Sequence, residues 1–198
     1  PAAPERATEL ALLPTPPTEP APSPAVPMEP TPHPAPASPV TTPIVVLDAG
    51  HGGRDPGAQG VGGVLEKDVV LEVTQRLAAR LPERLAVTVI LTRADDSFVS
   101  IDRRLSSAPE GAALFLSLHA NACNDPAARG LEVFYGGGSL RTVGSRSTSP
   151  AAALLGRCLD HALRDRVGPV RGSARPGGFG VLVRNALPRA LVGVGYLT

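Results

Sequence analysis

Two histidines and one glutamate are the residues of this sequence whose types and positions could do chemistry together. His51 follows a short apolar run in DAGHGG, His119 ends another in SLHAN, and Glu66 opens a helical pattern in LEKD. Two imidazoles and one carboxylate are a ligand set that suits zinc, with the fourth position left for water. Bound zinc lowers the pKa of its water to about 7, which supplies hydroxide at neutral pH. These residues together would support metal-assisted hydrolysis.

The spacing of the three residues also allows a simpler interpretation. They lie far apart in the sequence, unlike the two histidines of an HExxH motif. A histidine at the end of a strand is more often packed or hydrogen-bonded than bound to a metal. Whether the three can meet therefore depends on the elements that carry them.

Short apolar runs alternate with helical patterns from Ile44 onward. Strands are predicted at 44–47, 86–91, 113–118, 131–135, 180–183 and 190–194. Helices are predicted at 66–81, at 100–105 with Ser100 as the cap, and at 151–167 before Gly168-Pro169. The alternation predicts an α/β domain: a mostly parallel twisted sheet of about five or six strands with helices packed on its faces.

The predicted fold would place the three candidate ligands at one edge of the sheet. Ligands of such sheets bind outside the carboxyl ends of the strands. His51 follows the first strand, His119 ends the third, and Glu66 opens the first helix. That helix has one apolar stripe at i+4 spacing and a proline expected to help end it: Leu65, Val69, Val73, Leu77, Leu81 and then Pro82.

The first 43 residues differ in composition from the rest. They hold 15 of the 23 prolines and none of the 21 glycines. Each proline fixes φ and removes a backbone donor, so this segment is predicted to be a disordered, extended linker. Residues 44–198 are predicted to form the catalytic domain. No apolar stretch reaches the roughly 18 residues that a membrane-spanning helix needs.

Charge and composition narrow the function classes. A formal net charge of +1 gives no field that favours nucleic acid or a membrane surface. Aromatic residues are 3% of the chain and tryptophan is absent, which argues against a carbohydrate platform of stacked rings. Cys123 and Cys158 are too few for a disulfide framework and are expected to be free thiols. His161 is expected on a helix surface, and His33 in the solvated linker.

Six motifs in order from 44 to 198 resemble the zinc-dependent N-acetylmuramoyl-L-alanine amidase family. They are LDAGHGGRDPGA at 47–58, EKD at 66–68, LTR at 91–93, SLHAN at 117–121, RGLEVFY at 129–135 and LPRALV at 187–192. The resemblance implies that His51, Glu66 and His119 bind Zn²⁺. It implies hydrolysis of the amide that joins the lactyl group of N-acetylmuramic acid to L-Ala in peptidoglycan. It places the protein, expected as a monomer, in the periplasm or outside the cell.

The sequence departs from the family where a catalytic glutamate is expected. The aligned run is LVGVGYL at 191–197, so Gly193 stands at the position of that glutamate. Glycine can neither deprotonate water nor protonate the leaving amine. Three explanations remain open: an engineered change, a natural zinc-containing module that binds peptidoglycan without catalysis, or partial replacement by another carboxylate such as Glu132. An ordinary surface position is the alternative for Glu132.

Other expectations concern the groove and the end of the chain. Asn121, Arg184 and Asn185 could bind substrate, with loop capping or a surface role as the alternative. The glycine-rich segment 136–147 is too poor in helix formers for the inhibitory helix of the division amidases, so an open groove is expected.

Relatives continue into a final helix, so the domain is expected to be truncated at its C-terminal end and less stable than a longer form. A general zinc peptidase is disfavoured, because no peptidase motif matches.

Overall fold

A six-stranded sheet is the centre of the domain in the computed structural model, which describes residues 41–123, 125, 127–136, 149–183 and 187–197. The strands are β1 (Ile44–Ala49), β2 (Thr88–Leu91), β3 (Leu114–Asn121), β4 (Glu132–Gly136), β5 (Arg175–Pro176) and β6 (Arg189–Tyr196). Their order in the sheet is β2-β1-β3-β6-β4-β5. All neighbours pair in parallel except β4 and β6, which are antiparallel. The prediction of a mostly parallel α/β sheet is confirmed.

Two of the three α-helices begin at serine caps. The three α-helices are α1 (Glu66–Arg84), α2 (Ile101–Ser106) and α3 (Pro150–Arg166). Ser149 caps α3 by accepting a hydrogen bond from the Ala152 amide, and Pro150 occupies the first turn, where its missing N–H is harmless. Ser100 caps α2 in the same way, as predicted. Two 3-10 helices, Val61–Gly63 and Gly180–Leu182, complete the set among the described residues.

Three details of the prediction were wrong. The run 180–183 forms a 3-10 helix instead of a strand, closed by a 2.8 Å hydrogen bond from the Leu182 amide to the Phe179 carbonyl. Its apolar residues signalled burial, which a short turn can satisfy as well as a strand. Pro82 does not end α1, which continues to Arg84 and tolerates the proline in its last turns. Strand β3 runs on beyond His119 to Asn121.

The two faces of the sheet are covered differently. The long helices α1 and α3 pack on one face, over the buried cluster that includes Ala49, Leu118, Val133 and Val192. Within α1 the fully buried positions are Val70 and Thr74, while the predicted i+4 stripe beside them is half-buried. The second face holds Val46, Phe115 and Leu191 under the short Gly180–Leu182 helix, with α2 beside that helix. The short elements leave room for a groove on this face.

Within the described ranges no helix is both long and apolar enough to cross a membrane. The predicted linker up to residue 40, residues 137–147 of the glycine-rich segment, and Arg184 and Asn185 lie outside the described residues.

A buried ion pair joins the sheet to α2 below the groove. Asp48, which is 0% exposed, accepts hydrogen bonds of 2.6 Å from Arg104, Thr92 and Ser117. Arg104 is itself 5% exposed. Both charges are removed from water. The attraction between them therefore has to offset the cost of desolvating each one.

We expect the substitution Asp48→Ala to lower the free energy of unfolding by about 3–5 kcal/mol, because it leaves the Arg104 guanidinium buried without its counter-charge. The matched control is Glu72→Ala, which breaks an exposed pair with Arg76 on α1 and should cost only about 0.5 kcal/mol. Urea unfolding with chelator present, so that bound metal does not contribute, measures both values. Equal losses for the two variants would show that the buried pair contributes nothing beyond a surface pair.

Candidate functional site

His51, Glu66 and His119 meet at the carboxyl ends of β1 and β3. Each offers one ligand atom, and the three atoms lie within 4.8 Å of one another. His51 follows β1 with φ of 58°, a left-handed conformation that is uncommon outside glycine. His119 lies in β3, and Glu66 is the first residue of α1. The fold therefore brings together the three residues that sequence analysis singled out.

Glu66 bridges the two imidazole rings. Its Oε2 lies 3.1 Å from His51 Nε2 and its Oε1 lies 2.9 Å from His119 Nδ1. The carboxylate also accepts hydrogen bonds from the Ala58 and Ala120 amides, at 2.8 and 2.9 Å. Burial acts to raise the pKa of Glu66, but the hydrogen bonds from His119, His51 and the two amides outweigh it and hold the pKa well below its usual range. An ionised, buried carboxylate between two imidazoles is a donor set that fits a divalent cation.

Two glycines leave the space that this group occupies. A Cβ at Gly57 would lie 2.6 Å from both Glu66 Oε2 and His51 Cδ2, and a Cβ at Gly50 would lie 2.6 Å from His119 Nε2. Gly57 also has φ of 68°, a left-handed backbone conformation that glycine adopts without strain. Side chains at either position would displace a ligand ring or the carboxylate.

Asp55 orients His51 from the far side of the ring. Its Oδ2 lies 2.9 Å from His51 Nδ1, which leaves Nε2 turned toward Glu66. The hydrogen bond with Glu66, and then that with Asp55, raise the pKa of His51 against the opposing effect of burial. A carboxylate behind a histidine is the usual way in which proteins set the tautomer and orientation of a metal ligand.

We expect Asp55→Asn to weaken zinc binding by about 10–100-fold, because the amide cannot match the charge of the carboxylate behind His51. Competition against a zinc-responsive dye of known affinity measures the change. A suitable control is Asp96→Asn. Asp96 pairs with Lys67 at 2.6 Å and makes no contact with the three candidate metal ligands. An unchanged affinity in Asp55→Asn would mean that His51 is oriented by its backbone alone.

Two arginines hold the backbone of the ligand-bearing segments. Arg93 donates to the carbonyls of Ala49, Gly50 and Lys67 at 2.7–3.0 Å. Arg104 donates to the carbonyls of Ala49 and His51, both at 2.5 Å. Sequence analysis assigned no role to either arginine. Arg93 lies in the LTR motif directly after β2, and that position was the available signal.

Glu132 and Gly193 lie level with His119 on neighbouring strands. In the register, Gly193 of β6 pairs with His119 of β3 on one side and with Glu132 of β4 on the other. Paired residues of adjacent strands point to the same face of a sheet, so Glu132 shares the face of the ligand group. A Cβ at Gly193 would lie 3.0 Å from Asn121 Nδ2. A side chain at 193 would therefore project between His119 and Glu132.

Glu132 is held by three donors. Its Oε1 accepts from Arg175 at 2.7 Å, and its Oε2 accepts from Asn121 at 2.5 Å and from Tyr196 at 3.4 Å. The side chain is 16% exposed. It is thus part of the groove wall and not an isolated surface carboxylate, which was the alternative left open by the sequence. Asn121, a predicted substrate contact, binds Glu132 in this structure.

The cavity above these residues has a volume of about 630 Å³. Its lining includes the whole ligand group together with residues from the sheet, from α2 and from the 179–181 segment: Asp48, His51, Asp55, Glu66, Phe98, Ile101, Arg104, His119, Asn121, Glu132, Phe134, Phe179 and Val181.

Cys123 and Cys158 are both free thiols, as predicted. His161 lies exposed on α3 beside Asp165.

Comparison with known proteins agrees with this geometry. A family model described as Amidase_3, N-acetylmuramoyl-L-alanine amidase, matches residues 45–198. The chain is 40% identical over 129 residues to N-acetylmuramoyl-L-alanine amidase AmiC of Neisseria meningitidis, covering 65% of this chain and 29% of that protein. It is 34% identical over 140 residues to AmiC of Escherichia coli, covering 63% of this chain and 33% of that protein.

Solved structures show the same fold. N-acetylmuramoyl-L-alanine amidase AmiC2 of Nostoc punctiforme matches with a TM-score of 0.67 and 36% identity, over 79% of this chain and 81% of that chain. The catalytic domain of CwlV from Bacillus (Paenibacillus) polymyxa matches with a TM-score of 0.64 and 31% identity, over 79% and 82%. The chain spans a third or less of the length of the curated relatives named above. Since the family match runs through the strands and loops that carry His51, Glu66 and His119, the chain belongs to the N-acetylmuramoyl-L-alanine amidase family.

Proposed function

We propose that this domain is a zinc-dependent N-acetylmuramoyl-L-alanine amidase that acts on peptidoglycan. The bond cleaved is the amide between the lactyl group of N-acetylmuramic acid and the L-Ala of the stem peptide. The observation that carries the proposal is the His51–Glu66–His119 group in the lining of the cavity, in a chain of this family. Because the substrate lies in the cell envelope, the domain acts in the periplasm or outside the cell. One chain supplies all three ligands, so no second subunit is needed to complete the group, and we propose a monomer as the active form.

The three side chains would hold Zn²⁺ and leave one position toward the groove. Bound there, zinc would supply an activated water and polarise the scissile carbonyl. The protein's part is to keep the ligands in place: Asp55 orients His51, Arg93 and Arg104 hold the backbone around it, and the Ala58 and Ala120 amides fix the Glu66 carboxylate.

Proton transfer is the step for which this chain is poorly equipped. A family glutamate would stand at Gly193, and a positioned carboxylate is worth about 10²–10⁴-fold in rate. Glu132 is the carboxylate that the structure places next to that position. Its oxygens already accept from Arg175, Asn121 and Tyr196. Three of the four or so acceptor positions of its two oxygens are thereby filled, which leaves little capacity to take a proton from water, so Glu132 supports slow hydrolysis at best.

We expect Glu132→Gln to reduce the stem-peptide release of the unmodified chain by at least about tenfold, because it removes the remaining carboxylate on this wall. The same substitution in a chain that also carries Gly193→Glu should have a smaller effect, since the restored glutamate then moves the proton. Peptide release under single-turnover conditions measures both. Equal effects in the two backgrounds would assign Glu132 a structural role only.

A second candidate function is a zinc-containing module that binds peptidoglycan without cutting it. Gly193 is the observation that favours it, because no side chain there can carry a proton. This candidate keeps the same metal ligands and the same groove. It predicts binding to purified peptidoglycan with no release of stem peptide at any zinc concentration.

The decisive experiment is release of stem peptide from purified peptidoglycan, first with zinc and then with chelator. The proposed amidase releases peptide with a newly free L-Ala amino group, and chelator abolishes the release. Stem peptides without glycan should stay intact, which separates the amidase from a general zinc peptidase. Zinc-dependent binding without release would favour the second candidate, and zinc-independent release would contradict the proposed chemistry.

A further inference from the structure

Four of the described arginines stack on aromatic rings: Arg54 on Phe98, Arg171 on Tyr196, Arg175 on Phe134 and Arg189 on Phe115. Phe98 and Phe134 line the cavity, whereas Tyr196 and Phe115 do not. Arg175 already forms an ion pair of 2.7 Å with Glu132. Among the four, only the stack of Arg54 on Phe98, with 4.3 Å between the guanidinium carbon and the ring centroid, joins a cavity-lining ring to an arginine without a paired carboxylate.

The charge of Arg54 is not balanced by a neighbouring carboxylate of the described residues. The acidic groups of the two adjoining loops are bound to other partners: Asp55 to His51 and the Gly57 amide, Asp95 to the Ser97 amide, and Asp96 to the Gly53 amide and Lys67. None of the three forms an ion pair with Arg54. A guanidinium that stacks by its face keeps the N–H groups of its edge available, and their fork matches a carboxylate.

The stack of Arg54 on Phe98 is positioned by contacts between the two loops that carry these residues. The Gly53 amide donates to Asp96 at 2.8 Å, which ties the loops together directly beside the stack. A Cβ at Gly53 would lie 2.8 Å from the Phe98 amide nitrogen, so only glycine allows this close approach. Because the ring and the guanidinium are held in this way, a ligand loses little affinity to ordering them.

An acidic group of a ligand finds no free arginine or lysine among the described residues of the cavity lining. Arg104 is the cationic side chain there, and it is held by Asp48. A bound Zn²⁺ would be taken by its water and the scissile carbonyl. The unpaired positive charge therefore stands at the edge of the cavity, at Arg54, where a ligand that extends past Phe98 would meet it.

We propose that Arg54, held on Phe98, binds the carboxylate of the acidic residue that follows L-Ala in the stem peptide. This inference rests on the proposed function, because it assigns the peptide side of the proposed substrate. Asp55, the neighbour of Arg54, contacts His51, so Arg54 is anchored one residue from the ligand group. The second stem residue lies about 7 Å from the scissile bond in an extended chain, a span that suits a long side chain anchored there. The site thereby favours stem peptides in which this residue is a free acid over those in which it is amidated.

Binding of two probes that differ only in charge tests the inference without requiring turnover. The probes are N-acetylmuramoyl-L-alanyl-D-glutamate and its diamide, titrated into the zinc-loaded protein by ligand-observed NMR. Arg54→Gln should weaken binding of the acidic probe by about three- to fivefold, the value of one ion pair at a partly exposed position, and leave the diamide within about twofold. Attraction of the carboxylates by zinc is the same in both proteins at equal zinc content, so it cancels in this comparison. Arg54→Lys keeps the charge without the planar fork and should retain part of the preference.

The matched control is Arg171→Gln, which removes an exposed arginine that also stacks on a ring, but on Tyr196 outside the cavity lining. It should leave the preference for the acidic probe unchanged. An unchanged preference in Arg54→Gln, or equal reductions in the two variants, would overturn the inference. It is also overturned if the unmodified chain binds the acidic probe no more tightly than the diamide. The proposed function fails separately, through absent zinc binding or zinc-independent peptide release.

Discussion

Replacing Gly193 by glutamate is expected to raise the rate of stem-peptide release by about 10²–10⁴-fold. The new carboxylate would stand level with His119 on the adjacent strand and on the same face of the sheet. From there it could take a proton from water and return it to the departing amine. Zinc-dependent release of peptide from purified peptidoglycan, compared between the two chains at equal zinc content, measures the gain.

The local geometry accommodates this side chain. A Cβ at position 193 would approach Asn121 Nδ2 to 3.0 Å, so the amide must move by a few tenths of an ångström. Asn121 is a side chain that can move, and Glu132 is its partner. A new carboxylate beside Glu132 also places two negative groups together, which raises the pKa of one of them and suits it to donate a proton.

The control for this prediction is Gly193→Gln, which has the size of glutamate but cannot transfer a proton in the same way. It should leave the release rate within a fewfold of the unmodified chain. A gain in Gly193→Gln equal to that in Gly193→Glu would show that the position acts through packing. No gain in a folded, zinc-loaded Gly193→Glu chain would mean that proton transfer does not limit the reaction.

His119→Ala is expected to abolish stable zinc binding, with a loss of affinity greater than about 100-fold. Changing a residue that only supports a metal ligand already costs about 10–100-fold, and this substitution removes a ligand. It also takes one of the two imidazoles from Glu66, whose buried carboxylate then lacks a donor. Metal content after dialysis, determined by elemental analysis, should fall to a small fraction of that of the unmodified chain.

His161→Ala is the matched control, because it removes a histidine that is exposed on α3 and paired only with Asp165 among the contacts described. Its zinc content should equal that of the unmodified chain. Full zinc retention in a folded His119→Ala chain would contradict the assigned ligand group, and equal losses in both variants would indicate binding at scattered histidines.

Much of the sheet could be predicted because local patterns determine it. The apolar, β-branched run at 44–47 became β1, and the helical pattern from Glu66 became α1. Periodicity was less informative where a short apolar run was buried in another way, as at 180–183, which folds as a 3-10 helix. The two residues of β5 pair only because β4 lies beside them, and no local pattern marks them.

The candidate site shows the same division between local and tertiary information. Residue types and the predicted strand ends marked His51, Glu66 and His119 as candidates, with packed histidines as the alternative, and the motif resemblance then implied that they bind zinc. Motif resemblance marked Gly193 as the position where a glutamate is missing. These inferences needed only the order and identity of residues.

Only the tertiary structure decided which groups surround the ligands. Asp55 was close in sequence, but Arg93 and Arg104 reach the β1 loop from 40 or more positions away. The register of β3, β6 and β4 sets Glu132 beside Gly193 and level with His119. The physical reason is that strand pairing and side-chain packing join residues that are remote in sequence, whereas composition and periodicity report only on neighbours.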